Sequence, residues 1–160
     1  MKIASILVPL KGLAGEDEVL HLAFQLATAG ERRAKSHVKI HVIHVVEVPQ
    51  ALALDSDLPD LMAHGEAVLA AAEAAAARCD LAIHADLLQA RSAGIAIVDE
   101  SLERAVDLIL LGAQYHRRHG EFDLGSTLPY VFKNAPCRVW VARAPLPPAS
   151  VVVGPGESHS

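Results

Sequence analysis

DLILLGAQYHRRHGEFDLGSTLPYVFKNAPCRVWVAR, Asp107 to Arg143, decides how the rest of the chain is read. Asp107–Gly112 is a short apolar run closed by glycine, the pattern of a strand buried on both faces. Arg138–Ala142 is a second such run, entered after Pro136. Between them the sequence predicts a polar loop, Ala113–Leu124, and a short helix that Gly125-Ser126-Thr127 opens and that runs to about Asn134. Strand, helix and strand in that order predict a parallel pair joined by a right-handed crossover.

The same unit repeats upstream. Ile3–Leu10 reads as a first strand, closed by proline and glycine. A turn at Gly12–Gly15 leads to Glu16-Asp17-Glu18, acids that complement a helix dipole in its first turn. Val19, Leu22, Ala23, Leu26 and Ala27 then recur at helical spacing, with Gly30 as the expected stop. Val38–Val48 is β-branched and ends at Pro49, a second strand. After a loop over 50–58, an alanine-rich helix is predicted from Pro59 to about Arg78, with Asp57 as its cap. Leu81–Leu88 is a third strand and Ala93–Val106 a further helix. The fold class is therefore α/β, a five-stranded parallel sheet with helices on both faces. One domain spans 1–143; the tail, 144–160, holds four of the nine prolines and reads as an extension.

Composition narrows the function. The 160 residues are 52% hydrophobic and 21% charged, too apolar for a disordered chain. Aromatics are only 4%, so Ala, Val, Leu and Ile must build the core. The formal net charge of −5 argues against nucleic acid as a partner. No run reaches the ~18 uncharged apolar residues of a membrane span. Cys79 and Cys137 are isolated, which is neither a disulfide framework nor a zinc pattern, and fits a reducing cytoplasm.

In open α/β sheets ligands bind beyond the carboxyl ends of the strands, where the strand order reverses. The expected place lies after the first and fourth strands, at Pro9–Gly12 and Gly112–Thr127. Gly112, a long loop and Gly125-Ser126-Thr127 at a helix start supply the parts of a phosphate cradle: close backbone approach, free N–H groups and hydroxyls. A tight turn followed by an N-cap has the same parts, and both readings stand.

The sequence resembles the universal stress protein family over residues 3–143. The matching pieces are ILVPLKG at Ile6–Gly12, IHVVEVP at Ile43–Pro49, DLILLG at Asp107–Gly112 and LGSTLPYVFKNAPCRVWVAR at Leu124–Arg143. The resemblance implies a Rossmann-like, adenine nucleotide alpha hydrolase-like domain, a stress-response role and a cytoplasmic homodimer formed through the last strand. ATP-binding members carry Gly-x-x-Gly, nine residues, then Gly and Ser or Thr. Here Gly112 and Gly125-Ser126 match, while Tyr115 takes the middle glycine. Such members also carry Pro-x-Asp after the first strand, where this chain has Pro9-Leu10-Lys11. The implied nucleotide site is Pro9, Leu10, Lys11, Val45, Leu111, Gly112, Tyr115, Gly125, Ser126 and Thr127, with Arg117 and Arg118 as anion contacts. ATP or AMP is the implied ligand; no essential cofactor, metal or catalytic residue is expected.

Tyr115 replaces access to positive φ with a ring that either stacks on a base or closes the pocket. Two functions follow: a nucleotide-binding regulator, or a nucleotide-free dimeric module acting on an unidentified protein partner. An enzyme is not expected, because no general base or Mg²⁺-holding acid stands near the loop, although a weak ATPase is the third reading. His116 and His119 flank two arginines, which repel a cation. His41 and His44, three apart on a strand, point to opposite faces and share no ligand; His44 reads as a partnered histidine near the sheet end. Ser126 lacks the Gly-x-Ser-x-Gly setting of a nucleophile.

Overall fold

Ser5–Pro9 forms β1, and its side chains alternate: Ile6 and Val8 face one side of the sheet, Leu7 the other, all fully buried. Burial on both faces is what a continuous apolar run requires, and parallel pairing supplies it. The remaining elements are α1 (Glu16–Ala34), β2 (Lys39–Glu47), α2 (Pro59–Arg78), β3 (His84–Ala90), α3 (Ala93–Glu103), β4 (Leu108–Ala113), β5 (His116–Arg118), β6 (Glu121–Asp123), α4 (Thr127–Asn134) and β7 (Arg138–Arg143). The computed structural model describes residues 2–34, 37–113, 116–118, 121–123, 125–143 and 145, with backbone alone for 34, 116–118 and 121–123. The expectations for Tyr115 and for the tail over 146–160 lie outside the described residues.

The main sheet has the order β3-β2-β1-β4-β7, all neighbours parallel. The order reverses between β1 and β4, as the sequence predicts. One face packs Val19, Ala23, Phe24, Leu69 and Ala76 of α1 and α2 on Ile6, Val8, Ile40, Val42, Leu108 and Leu110. The other packs Ile97, Val98, Leu128 and Val131 of α3 and α4 on Leu7, Ile43, Ile109 and Leu111. Each fully buried aliphatic side chain contributes about 1.5–3 kcal/mol. The Asp107 carboxylate accepts from the N–H groups of Ala4 and Ser5, at 2.7 and 3.0 Å, and aligns the starts of β1 and β4.

Several boundaries differ from the sequence reading. α1 runs past Gly30 to Ala34. Glycine is used there for proximity: a Cβ would stand 3.0 Å from Val38 Cγ2, just before β2. Leu58, not Asp57, is the N-cap of α2, which starts on its proline without a side-chain cap. α3 ends at Glu103 rather than Val106. Ala105 turns left-handed at φ 49° and the Val106 N–H reaches back to the Ser101 carbonyl, a Schellman-type ending. The segment expected as a polar loop, Ala113–Leu124, contains the antiparallel pair β5–β6. β3 starts three residues later than expected, at His84.

Candidate functional site

Where β1 ends, the chain turns through Leu10–Leu13 into α1, and a set of backbone hydrogen bonds holds that turn. Leu10 N–H donates to the Ile43 carbonyl at 2.9 Å. The Leu10 carbonyl accepts from His44 Nδ1 at 2.8 Å, and the Lys11 carbonyl from His64 Nε2 at 3.0 Å. A carbonyl only accepts, so these bonds assign the ring protons: Nδ1–H on His44 and Nε2–H on His64. The two rings meet edge to face with centroids 5.6 Å apart. On the other side of the loop, the N–H groups of Lys11, Gly12 and Leu13 all donate to the Glu16 carboxylate, at 2.8, 2.7 and 3.0 Å. Gly12 adopts φ 83°, the left-handed geometry that lets consecutive amides converge on one anion.

Above this loop a cavity of about 310 Å³ opens at the carboxyl ends of β1 and β2. Pro9, Leu10 and Lys11 line it at the end of β1, and Val45, Val46 and Glu47 at the end of the neighbouring β2. Leu61 and His64 of α2, with Ala93 and Ile97 of α3, complete it. Apolar walls with a few fixed polar groups suit a flat, partly apolar ligand. Glu47 Oε1 accepts from the Ala93 N–H at 3.2 Å, so the first turn of α3 holds its carboxylate at the rim.

The structure brings Pro9, Leu10, Lys11 and Val45 together on this cavity, whose lining does not include Leu111, Gly112, Gly125, Ser126 or Thr127. Leu111, 4% exposed, is a core residue packed toward α3 and α4. Gly112 stands beside α1: a Cβ there would come 3.0 Å from Val19 Cγ2 and 3.8 Å from Glu16 Cγ. Gly125 is left-handed at φ 67°, and a Cβ there would meet nothing within 4 Å. Ser126 is the N-cap of α4, but its side chain makes no cap hydrogen bond; Thr127 is the first helical residue. Arg117 and Arg118 lie on β5 and only their backbone is described.

Sequence reasoning missed His64, Glu47, Leu61, Ile97 and Glu16. Nothing local marks them, since each reaches the site through strand register or helix placement. His44 is buried and partnered, and His41 faces the other side, as the spacing predicts. There His41 stacks on His84, centroids 5.1 Å apart, and its Nδ1 accepts from Arg104 at 3.0 Å. Arg104 also bonds Glu100 at 2.6 Å and Asp86 at 2.8 Å. Burial, and then the Arg104 charge, hold the His41 pKa below its ordinary value. Among the described residues no group of three or more His, Cys, Asp and Glu side chains could hold a metal ion. No described helix is long and apolar enough to cross a membrane.

No curated protein matches the chain. Solved structures do. A universal stress protein from Archaeoglobus fulgidus in complex with dAMP is 18% identical, with a TM-score of 0.66 over 88% of this chain and 98% of that one. A family member from Arabidopsis thaliana with AMP bound is 14% identical, TM-score 0.62, over 88% and 91%. A universal stress family protein from Burkholderia pseudomallei is 19% identical, TM-score 0.61, over 89% and 97%. At these identities the likeness is one of fold. The model of the universal stress protein family matches residues 2–143, nearly the whole described chain. The chain belongs to the universal stress protein family.

Proposed function

We propose that this chain is a regulatory protein that binds an adenine nucleotide or a related phosphate ligand at the switch point between β1 and β4 and signals by occupancy. The observation that carries this reading is the cavity of about 310 Å³ at the carboxyl ends of β1 and β2, on the β1 side of the switch point, whose walls include Pro9, Leu10, Lys11 and Val45. The base and sugar occupy that cavity, with Glu47 as the hydroxyl acceptor that position 11 no longer provides. The phosphate extends toward Gly112 and the start of α4, where the Ser126 hydroxyl is not used as a cap. The Archaeoglobus fulgidus and Arabidopsis thaliana relatives, described with dAMP and AMP, support the ligand class. The protein acts as a binder and not as an enzyme, in the cytoplasm.

A second reading, a nucleotide-free dimeric module, is favoured by the far edge of the sheet. β7 is an edge strand, Val141 is 36% exposed on it, and Phe132 of the preceding helix is 54% exposed. Pairing of β7 with its copy would cover that edge. The homodimer belongs to both readings.

Thermal denaturation with adenosine, AMP, cyclic AMP, ADP and ATP separates them. A ligand that binds only the folded state raises the melting temperature by mass action. The nucleotide reading requires a rise with at least one compound, reduced in Ser126→Ala if the phosphate lies where it is placed here. No rise with any of them at millimolar concentration refutes it.

A further inference from the structure

We propose that Glu16 selects ligands by charge, so that the site admits an adenine nucleoside carrying at most one phosphate and turns away di- and triphosphates. The proposal rests on the nucleotide reading above and adds the class of nucleotide. The N–H groups of Lys11, Gly12 and Leu13 converge as an anion nest would, and the Glu16 carboxylate already fills it with both oxygens. Hydrogen bonds to a charged acceptor are short and strong, so the three amides fix the carboxylate in place. Its Cγ lies 3.8 Å from the position of a Cβ on Gly112, which places it against the first glycine of the motif that accompanies phosphate binding. Asp17 lines the adjoining groove with Glu16 and His64, and adds to the negative charge.

A phosphate chain leaving the cavity for the end of β4 therefore meets a fixed carboxylate instead of free amides. Each further phosphate adds like charge beside that fixed carboxylate, a repulsion that is largest at low ionic strength. Lys11 is an exposed residue, and the bonds that hold it are made by its backbone, its N–H to Glu16 and its carbonyl to His64, rather than by its ammonium.

Titration calorimetry with adenosine, AMP and Mg²⁺-free ATP tests the proposal on the wild type, Glu16→Gln, Glu16→Asp and Glu18→Gln. The wild type is expected to bind AMP at least about tenfold tighter than ATP, and Glu16→Gln to bring the two within about threefold. Glu16→Asp keeps the charge and the selectivity. Glu18→Gln removes one charge from the same helical turn, away from the nest, and also keeps it. ATP bound by the wild type as tightly as AMP overturns the proposal, as does an unchanged ratio in Glu16→Gln. Loss of adenosine binding in Glu16→Gln, with melting temperature and circular dichroism recorded alongside, assigns Glu16 to holding the loop and also overturns it. If the wild type binds none of the three, the nucleotide reading itself fails; if it binds them without charge preference, only the present proposal does.

Discussion

Gly65, inside α2, gives the most demanding test of how the cavity is held. An interior helical glycine is destabilising by roughly 0.5–1 kcal/mol relative to alanine, so Gly65→Ala would stabilise an isolated helix by about that amount. The structure predicts the opposite sign. An ideal Cβ at Gly65 collides with Leu87 Cδ1, and it lies 2.6 Å from Cδ2 and 3.2 Å from Nε2 of His44. Leu87 has rotamers to try. His44 does not, because it is 7% exposed and its Nδ1 is bonded to the Leu10 carbonyl. Overpacking costs about 1–3 kcal/mol, and weakening a buried hydrogen bond about 1 kcal/mol more. Less the propensity gain, the net loss is about 2 kcal/mol, and the melting temperature should fall by about 4–8 °C. Thermal and urea denaturation followed by circular dichroism would measure it. Truncating the collision partner supplies the internal control. The double variant Gly65→Ala/Leu87→Ala should be less destabilised than the two single losses predict, by at least about 0.5 kcal/mol. A melting temperature that rises in Gly65→Ala, or losses that simply add, would refute the claim that glycine is there for close approach.

Ala105 holds a left-handed φ of 49° at the end of α3, where glycine has no Cβ penalty. Ala105→Gly should therefore raise stability by about 0.5–1 kcal/mol despite the greater freedom glycine has when unfolded, read as a higher urea midpoint at unchanged slope. His41 has a lowered folded pKa, so the folded state binds its proton less readily than the unfolded chain. Its contribution is present above the ordinary imidazole value near 6.5 and is lost as pH falls from there toward the lowered folded value. His41→Gln, whose side-chain carbonyl can still accept from Arg104, should flatten the fall in urea midpoint between about pH 7 and about pH 5; an unchanged slope would assign the acid sensitivity to other groups.

The layers of the fold were legible because they follow from periodicity. β1, β2, β4 and β7 are short apolar runs punctuated by proline or glycine, and helices at 3.6-residue spacing lie between them. The misses are local contests that tertiary packing decides. Gly30 looks like a stop, yet closeness to Val38 lets α1 continue. Asp57 looks like a cap, yet the helix starts on Pro59, whose missing N–H leaves less to cap. The site was legible only along β1 and at Val45, where short motifs name their own positions. His44, Glu47 and Ile43 could not be placed against Leu10 and Ala93 without the register that pairs Pro9 with Ile43. Glu16 shows the limit best: the sequence assigns a first-turn acid to the helix dipole, while the fold turns its carboxylate back on the loop that precedes it.

That loop also explains how the chain accommodates Lys11 where nucleotide-binding relatives are expected to carry an aspartate. Its path is fixed by main-chain groups: the Leu10 and Lys11 carbonyls are held by two imidazoles, the next three amides by one carboxylate, and the Leu10 N–H by β2. None of these bonds uses the side chain at position 11, so that side chain is free to vary without altering the wall it stands on. The wall is consequently preformed, and binding there does not require ordering a loop of this length, a step that ordinarily lowers affinity. Discrimination must then come from the groups that hold the loop. Of these, the two imidazoles donate to carbonyls, whereas Glu16 presents a full negative charge beside Gly112. The residue that makes the loop rigid is thus also the one placed to decide what charge may enter beside it.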